Sequence, residues 1–420
     1  MCHIILEEKA AHINKPEVLR MKKLNLILVI AISAATLVAC GEGSIGTATK
    51  QTGALLGTLP VPNIAEGIKF TYDGGQVADG KFYLTDRNNK GVDVYDTATL
   101  LFIGTAQGTG ALAFTGQAFN PDGSANNDQT GPNSLQKIPG TNKLYVTDVN
   151  SVKVVDTNSL QVVKVIPIPG PTGLTGNRTD GSCLDAEHHI FMGMNSTDSF
   201  ITFINTDTDT IIARYDYDQA INPQGLEVCA YVPSLQKFFV NNDGNDINLN
   251  GQLDSFSLAS VQAAKPVLDT PIPLPDCNPN GLAVGPNNEA VIACDTSGQG
   301  VAGEGKPLIT MIADLANRKV AYTIPFGGSD LASYDPVTKR YFLGSRNWQA
   351  GGKVVMSLPK NPSLGIIDAV THKALTPVPA GKGAHTAVVD SSKAYVFVPF
   401  TPTSGSTDFA NGGIAVYSTN

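Results

Sequence analysis

The residues from Asp246 to Asp254 read Asp-x-Asn-x-Asn-Gly-Gln-x-Asp. Calcium takes oxygen ligands, and alternating Asp and Asn side chains supply them from one loop. Asp246, Asn248 and Asn250 would fill the first, third and fifth positions, and Gly251 would make the sharp turn. Gln252 would offer its carbonyl and Asp254 would close the set. Ser257 stands where a complete loop has a bidentate acid. Two readings stay open: a Ca2+ loop inserted between strands, or an Asn-rich turn.

A second constellation is spread through the chain: Asp73, Asn133, Asp180, Gln224 with Glu227, Asn280, Asp330 and His385. Each lies at the same place in a repeated segment, at the start of a short apolar run. Carboxylates, amides and one imidazole brought together could hold a divalent metal or bind a polar ligand. Glu227, Asp330 and His385 are the candidates for catalysis. The competing reading is a polar channel mouth filled by ordered water. His188 and His189 are adjacent, so on a strand they face opposite ways and cannot share a metal. His372 follows an outer turn and is expected to face solvent.

The repeats explain why these residues would meet. The phrases KFYLTD (from Lys81), KLYVTD (from Lys143), HIFMGM (from His189), KFFVNN (from Lys237), EAVIAC (from Glu289), RYFLGS (from Arg340) and KAYVFV (from Lys393) make seven copies of one strand. A second strand follows each, among them GVDVYD, SVKVVD and GIAVYS. Short β-branched runs separated by Gly, Pro, Asn and Asp signal consecutive hairpins. Spacing of roughly 45–60 residues fits four-stranded propeller blades with inserted loops. The last copy lacks a fourth strand, and the segment from Gly53 to Pro62 belongs to no copy. The expectation is an all-β, seven-bladed β-propeller whose ring is closed by that N-terminal strand pairing with the C-terminal blade. The inner-strand starts would then face a central channel.

Residues 1–20 read as an upstream extension, 21–39 as a lipoprotein signal peptide, 40–52 as a lipidated tether and 53–420 as one propeller domain. Met21-Lys22-Lys23 is basic, Leu24 to Leu37 is apolar, and Leu37-Val38-Ala39-Cys40 matches a lipobox. The alternative is an ordinary signal peptide in which Cys40 is incidental. Gly41 after the cysteine points to the outer membrane of a cell envelope. Processing at Cys40 leaves 24 basic and 34 acidic residues, a formal charge of −10. That balance excludes nucleic acid, which needs a basic face. Export makes disulfides possible. Cys277 and Cys294 fall in the fifth blade and are expected to pair. Cys183 and Cys229, on inner strands of neighbouring blades, are expected to stay as buried thiols because such strands diverge.

The phrases YLTD, YVTD and VDVYDT resemble the YVTN-type propellers of bacterial secreted lipoproteins. CNPNGLAVGPN, SDLASYDPVTKRYFLGS and GAHTAVVD resemble the later half of the same type. PNGLAVGPNN is also similar to an inner-strand phrase of the senescence-marker-protein/gluconolactonase group. That second resemblance implies a divalent metal held by inner-strand Glu, Asn and Asp, with Asn280 matching by phrase and Glu227 and Asp330 more loosely. The expected function is a lipid-anchored envelope module, monomeric, binding a protein or small polar ligand on one propeller face. The alternative is a metal-dependent hydrolase or lactonase working in the channel.

Replacing Cys40 by Ser should release the protein from membranes and abolish acyl labelling. Equal membrane fractionation of both proteins, with no label in the wild type, would contradict the lipid anchor.

Overall fold

In the computed structural model of the 420-residue chain, described residues are 51–64, 69–170, 178–218, 225–244, 250–295 and 303–420. The repeated phrases become the second strands of seven antiparallel sheets arranged as propeller blades. Blade one comprises Tyr72–Ala78, Lys81–Asp86, Gly91–Asp96 and Phe102–Ala106. Blade two comprises Leu135–Lys137, Lys143–Asp148, Ser151–Asp156 and Gln161–Pro167. Blades three, four, five and six begin at the inner strands Thr179–Asp185, Leu226–Val232, Asn278–Val284 and Ala332–Asp335. Blade seven begins at Val388–Asp390. The outer strand of blade six is split into Lys373–Ala374 and Val378–Pro379.

Blade seven is completed from the other end of the domain. Leu55–Leu59 pairs antiparallel with Gly413–Ser418, matching Leu59 to Ile414 and Leu55 to Tyr417. Gly53 N–H donates to the Ser418 carbonyl at 2.8 Å, and Ser418 N–H returns a bond to Ala54 at 2.9 Å. Arg340 of blade six ties both ends, donating to Thr52 Oγ1 at 2.6 Å and the Thr419 carbonyl at 2.9 Å. The strand expected from its lack of a repeat partner is therefore the strand that removes the open edge.

Alternation along each strand sends side chains into the gaps between blades. Phe82, Leu84 and Tyr95 of blade one meet Leu59, Phe397, Ile414 and Val416 of blade seven. Met192, Met194 and Phe203 of blade three meet Phe238, Val240 and Phe256 of blade four. Blades stay in register through a repeated turn. Asp96, Asp156, Asn205 and Asp368 each accept from the backbone N–H groups two and three residues on. Such turns suit short Asx side chains.

The inner strands carry the feature that shapes the channel. Pairing slips between Tyr72 and Gly75, Thr179 and Ser182, Leu226 and Cys229, and Pro279 and Leu282. A bulge of this kind bends the strand and re-aims a side chain. The residues inside these slips are Asp73-Gly74, Asp180-Gly181, Glu227-Val228 and Asn280-Gly281. A Cβ on Gly181 would lie 1.9 Å from the Glu227 carbonyl oxygen, and one on Gly281 2.0 Å from that of Asp330. Glycine at these two positions lets one blade's backbone touch the next.

That approach corrects the expectation of two buried thiols. Cys183 and Cys229 lie two residues beyond Gly181 and Glu227, and they form a disulfide with Cα atoms 5.4 Å apart. The neighbouring inner strands have not yet diverged at that point. Cys277 and Cys294 form a second disulfide, with Cα atoms 5.1 Å apart.

Deleting residues 53–62 should abolish cooperative unfolding or drive aggregation, because Gly413–Ser418 would be left as an unpaired edge. Deleting residues 41–51 should cost little by comparison. Equal stability of the two truncations, measured by urea unfolding, would contradict closure by this strand.

Candidate channel site

The axis of the ring holds a cavity of about 830 Å³. Asp73, Asn133, Asp180, Glu227, Asn280, Asp330 and His385 all line it. Thus the inner-strand starts do converge; Gln224 lies outside the described residues. The sequence reading missed three cations in the same wall: Arg87, Arg178 and Arg346. Arg87 and Arg346 each follow the last residue of a second strand, Lys81–Asp86 and Arg340–Ser345. The shared phrase position of KFYLTD-Arg and RYFLGS-Arg was the available signal.

Each guanidinium takes a carboxylate. Arg87 pairs with Asp73 and donates to Asn133 Oδ1 at 2.7 Å. Arg178 pairs with Asp180 at 2.5 Å. Arg346 spans two acids, reaching Asp295 at 2.7 Å and Asp330 at 2.9 Å. Burial works against charge on Arg178 and Arg346, but the surrounding carboxylates outweigh it and push both guanidinium pKa values further up. Asn133 is spent on structure, its amide donating to the Thr130 and Thr179 carbonyls at 3.1 and 2.9 Å.

Two acids of the cavity have no cation of this kind. The Glu227 carboxyl makes no hydrogen bond or ion pair among the described residues. Burial, with Asp180 and Asp243 beside it, holds its pKa well above the ordinary carboxylate range. Asp243, just after blade four's second strand, packs against Gly225, and its Oδ1 is buried without a partner among the described residues. Burial pushes its pKa up to about 6, despite hydrogen bonding from Asn278 and the backbone. Asp330 is pushed up to about 7 by burial, the pull of Arg346 being offset by Asp295, Asp73 and Asp180.

His385 stacks on Tyr72, ring centroids 4.5 Å apart, and its Nδ1 donates to the Gly383 carbonyl at 2.8 Å. Burial and then Arg346 lower its pKa to about 4. A neutral imidazole of so low a basicity is poorly matched to general-base work near pH 7. His372 does not face solvent as expected: it stacks on Tyr322 and bonds Glu289 Oε2 at 2.9 Å.

The implied channel metal can be tested against these donors. Arg346 sits on Asp330, and among the described residues no three His, Cys, Asp or Glu side chains form a metal-holding group. The donor set fits a divalent metal poorly. Of the Asn-rich loop, Asp246 and Asn248 lie outside the described residues, and Asn250 is exposed. Gln252 and Asp254 belong to the strand Gly251–Ser257. Asp254 is buried there, accepting from Tyr217 at 2.9 Å, Asn242 at 2.7 Å and Gln252 at 2.7 Å. A Ca2+ ion in this loop would have to draw on the other residues.

No protein-family model matches the sequence, nor does any curated protein. Solved structures match the fold. A chain in the crystal structure of the mitotic checkpoint complex is 11% identical with a TM-score of 0.58, covering 93% of this chain and 99% of that one. A chain of Kuenenia stuttgartiensis hydrazine synthase is 16% identical with a TM-score of 0.56, covering 89% of this chain and 98% of that one. U3-55K is 9% identical with a TM-score of 0.53, covering 84% of this chain and 96% of that one. At such identities the likeness is one of fold.

Asp243 gives the site a pH signature. Its ordinary pKa is 3.8 and its folded value is about 6. Between those values the unfolded chain ionises first, so the native state loses stability as pH rises. Above about pH 6 the penalty is constant. Asp243→Asn should remove it, gaining on the order of 2 kcal/mol over wild type between pH 4 and pH 7. Parallel stability curves for the two proteins would contradict the shift.

Proposed function

We propose that the channel binds a small polar ligand, and that the protein is a binding module of the cell envelope held at the outer membrane through a lipid on Cys40. The observation carrying this reading is the axial cavity of about 830 Å³, with buried polar atoms that lack partners among the described residues: Arg178 Nε, Asp243 Oδ1 and Asn280 Oδ1. A buried polar atom left without a partner costs about 1–3 kcal/mol. Water or a ligand in the channel supplies what the protein does not. The lipobox at Leu37 to Cys40 supports the anchor.

The propeller fold itself supports only the broader class, because propellers host unrelated activities. A chain of a mitotic checkpoint complex shares the fold, which favours presentation of a face to a partner as a second use of the disc. Metal-dependent lactone hydrolysis has less support. It needs a metal where Arg346 already holds Asp330, and a base where His385 is pushed down to about 4.

The full chain should be screened by thermal unfolding against amino acids, monosaccharides, dicarboxylates and diamines, and assayed against lactones and esters. At a hundredfold excess over Kd a ligand of the native state adds about 2.7 kcal/mol. We expect at least one compound to raise Tm, Asp330→Ala and His385→Ala to change its affinity, and no ester or lactone to turn over. Chelator-sensitive lactone hydrolysis, or a panel with no binder, would overturn the binding reading.

A further inference from the structure

Donors and acceptors are unevenly distributed around the channel. Arg87 and Arg178 pair with Asp73 and Asp180, and Arg346 is shared by Asp330 and Asp295. What remains lies on two consecutive blades. Glu227 sits in the bulge of blade four's inner strand, Asp243 follows that blade's second strand, and Asn280 sits in the bulge of blade five. All three line the same cavity.

Each of the three leaves an oxygen without a hydrogen bond among the described residues; the donors beside them are Asn278, which lies on Asp243, and Arg178, whose Nε is buried and unpartnered. Glu227 has no protein partner among the described residues. Asp243 Oδ1 and Asn280 Oδ1 are buried and unpartnered. Asn280 is only 8% exposed, so bulk water does not substitute freely for a donor. Two carboxylates and an amide oxygen, all acceptors, outnumber the donors there, and Arg178, which attracts Glu227 through space, is ion-paired to Asp180. The complement to such a wall is a compact cation with several N–H donors.

We propose that the wall formed by Glu227, Asp243 and Asn280 is a subsite for the protonated amino group of a small organic ligand. This rests on the channel being a ligand site and adds the chemical class of what it takes. A primary ammonium presents three donors to three acceptor groups and brings the positive charge that Glu227 and Asp243 lack. The unpaired acids are costly to ionise in the empty protein, and an arriving cation offsets that cost. The arginine-paired carboxylates elsewhere around the channel do not form a second cationic subsite.

The test uses the full-length protein and five probes at matched concentration and ionic strength: 1,4-diaminobutane, butylamine, 1,4-butanediol, succinate and calcium chloride. Binding is read by calorimetry and by the shift in Tm. The two amines should bind, and the diol, the dicarboxylate and Ca2+ should not compete with them. Glu227→Gln and Asp243→Asn should each weaken amine binding at least tenfold. Asn280→Ala, which removes an acceptor without changing charge, should weaken it several-fold. Each variant should still melt cooperatively, and the two acid-to-amide variants should melt no lower than wild type without ligand. Binding of the diol, succinate or Ca2+ in the channel while amines fail would overturn the ammonium subsite but leave a ligand-binding channel. Amine binding unchanged in all three variants would place the cation elsewhere and also overturn it. Failure of every probe, together with failure of the broader panel, would sink both readings.

Discussion

The contact on which the rest of the molecule depends is the approach of neighbouring inner strands around the axis. Backbones there come closer than a Cβ permits, and a chain of bonds joins each blade to the next. Thr85 of blade one donates to the Asn133 carbonyl at 3.0 Å, Thr147 of blade two to Asp180 at 2.8 Å, and Ser196 of blade three to Leu226 at 2.8 Å. Asn241 of blade four reaches Asn280 at 3.0 Å, and Ser329 N–H, preceding blade six, reaches Cys294 of blade five at 3.1 Å. Leu331 N–H then reaches His385 at 2.8 Å, and Thr386 closes the circuit on Asp73 at 2.7 Å. The circuit satisfies carbonyls that the bulges free from the sheets, as buried backbone groups require. It also fixes which side chains face the channel.

From that constraint the electrostatics follow. Bulges that turn Asp73, Asp180 and Glu227 toward one axis concentrate acids in one cavity. Like charges in such a place raise each other's pKa unless a cation intervenes. Three arginines intervene around most of the ring. Glu227 and Asp243, both of blade four, are left without an ion-paired guanidinium beside Asn280 of blade five, and this asymmetry gives the ring a direction. Perturbed acids in a cleft are a common mark of function, though ion-pair networks perturb them too. Here both cases lie side by side: Asp330 is pushed up to about 7 beside Arg346 and Asp243 to about 6 without an arginine, burial being the largest cause in each.

The fold was legible in the sequence because each blade repeats one pattern of apolar alternation and turn chemistry. The orphan segment at Gly53 to Pro62 announced its own role by having no partner. Asp73, Asp180, Glu227, Asn280, Asp330 and His385 could be placed in one channel because repeats superpose equivalent positions. What that superposition hid were partners from other positions. Arg87 and Arg346 follow second strands and Arg178 precedes an inner strand, so none aligns with the acid it neutralises. The Cys183–Cys229 bridge was missed for a related reason. Alternation describes a regular strand, whereas the bulge at Asp180-Gly181 holds two blades together for a few residues longer than regular geometry allows. His372 was misjudged because its Tyr322 and Glu289 partners come from the neighbouring blade.

Arginines pair with Asp73, Asp180 and Asp330, and the proposed subsite at Glu227 and Asp243 is left to a non-protein cation. A well-resolved experimental density map of gently purified protein tests this most directly. Arg87, Arg178 and Arg346 should be seated on their carboxylates, with one non-protein feature within hydrogen-bond reach of Glu227, Asp243 and Asn280. Glu227 and Asp243 paired to protein cations, or turned into separate blade cores, would contradict it.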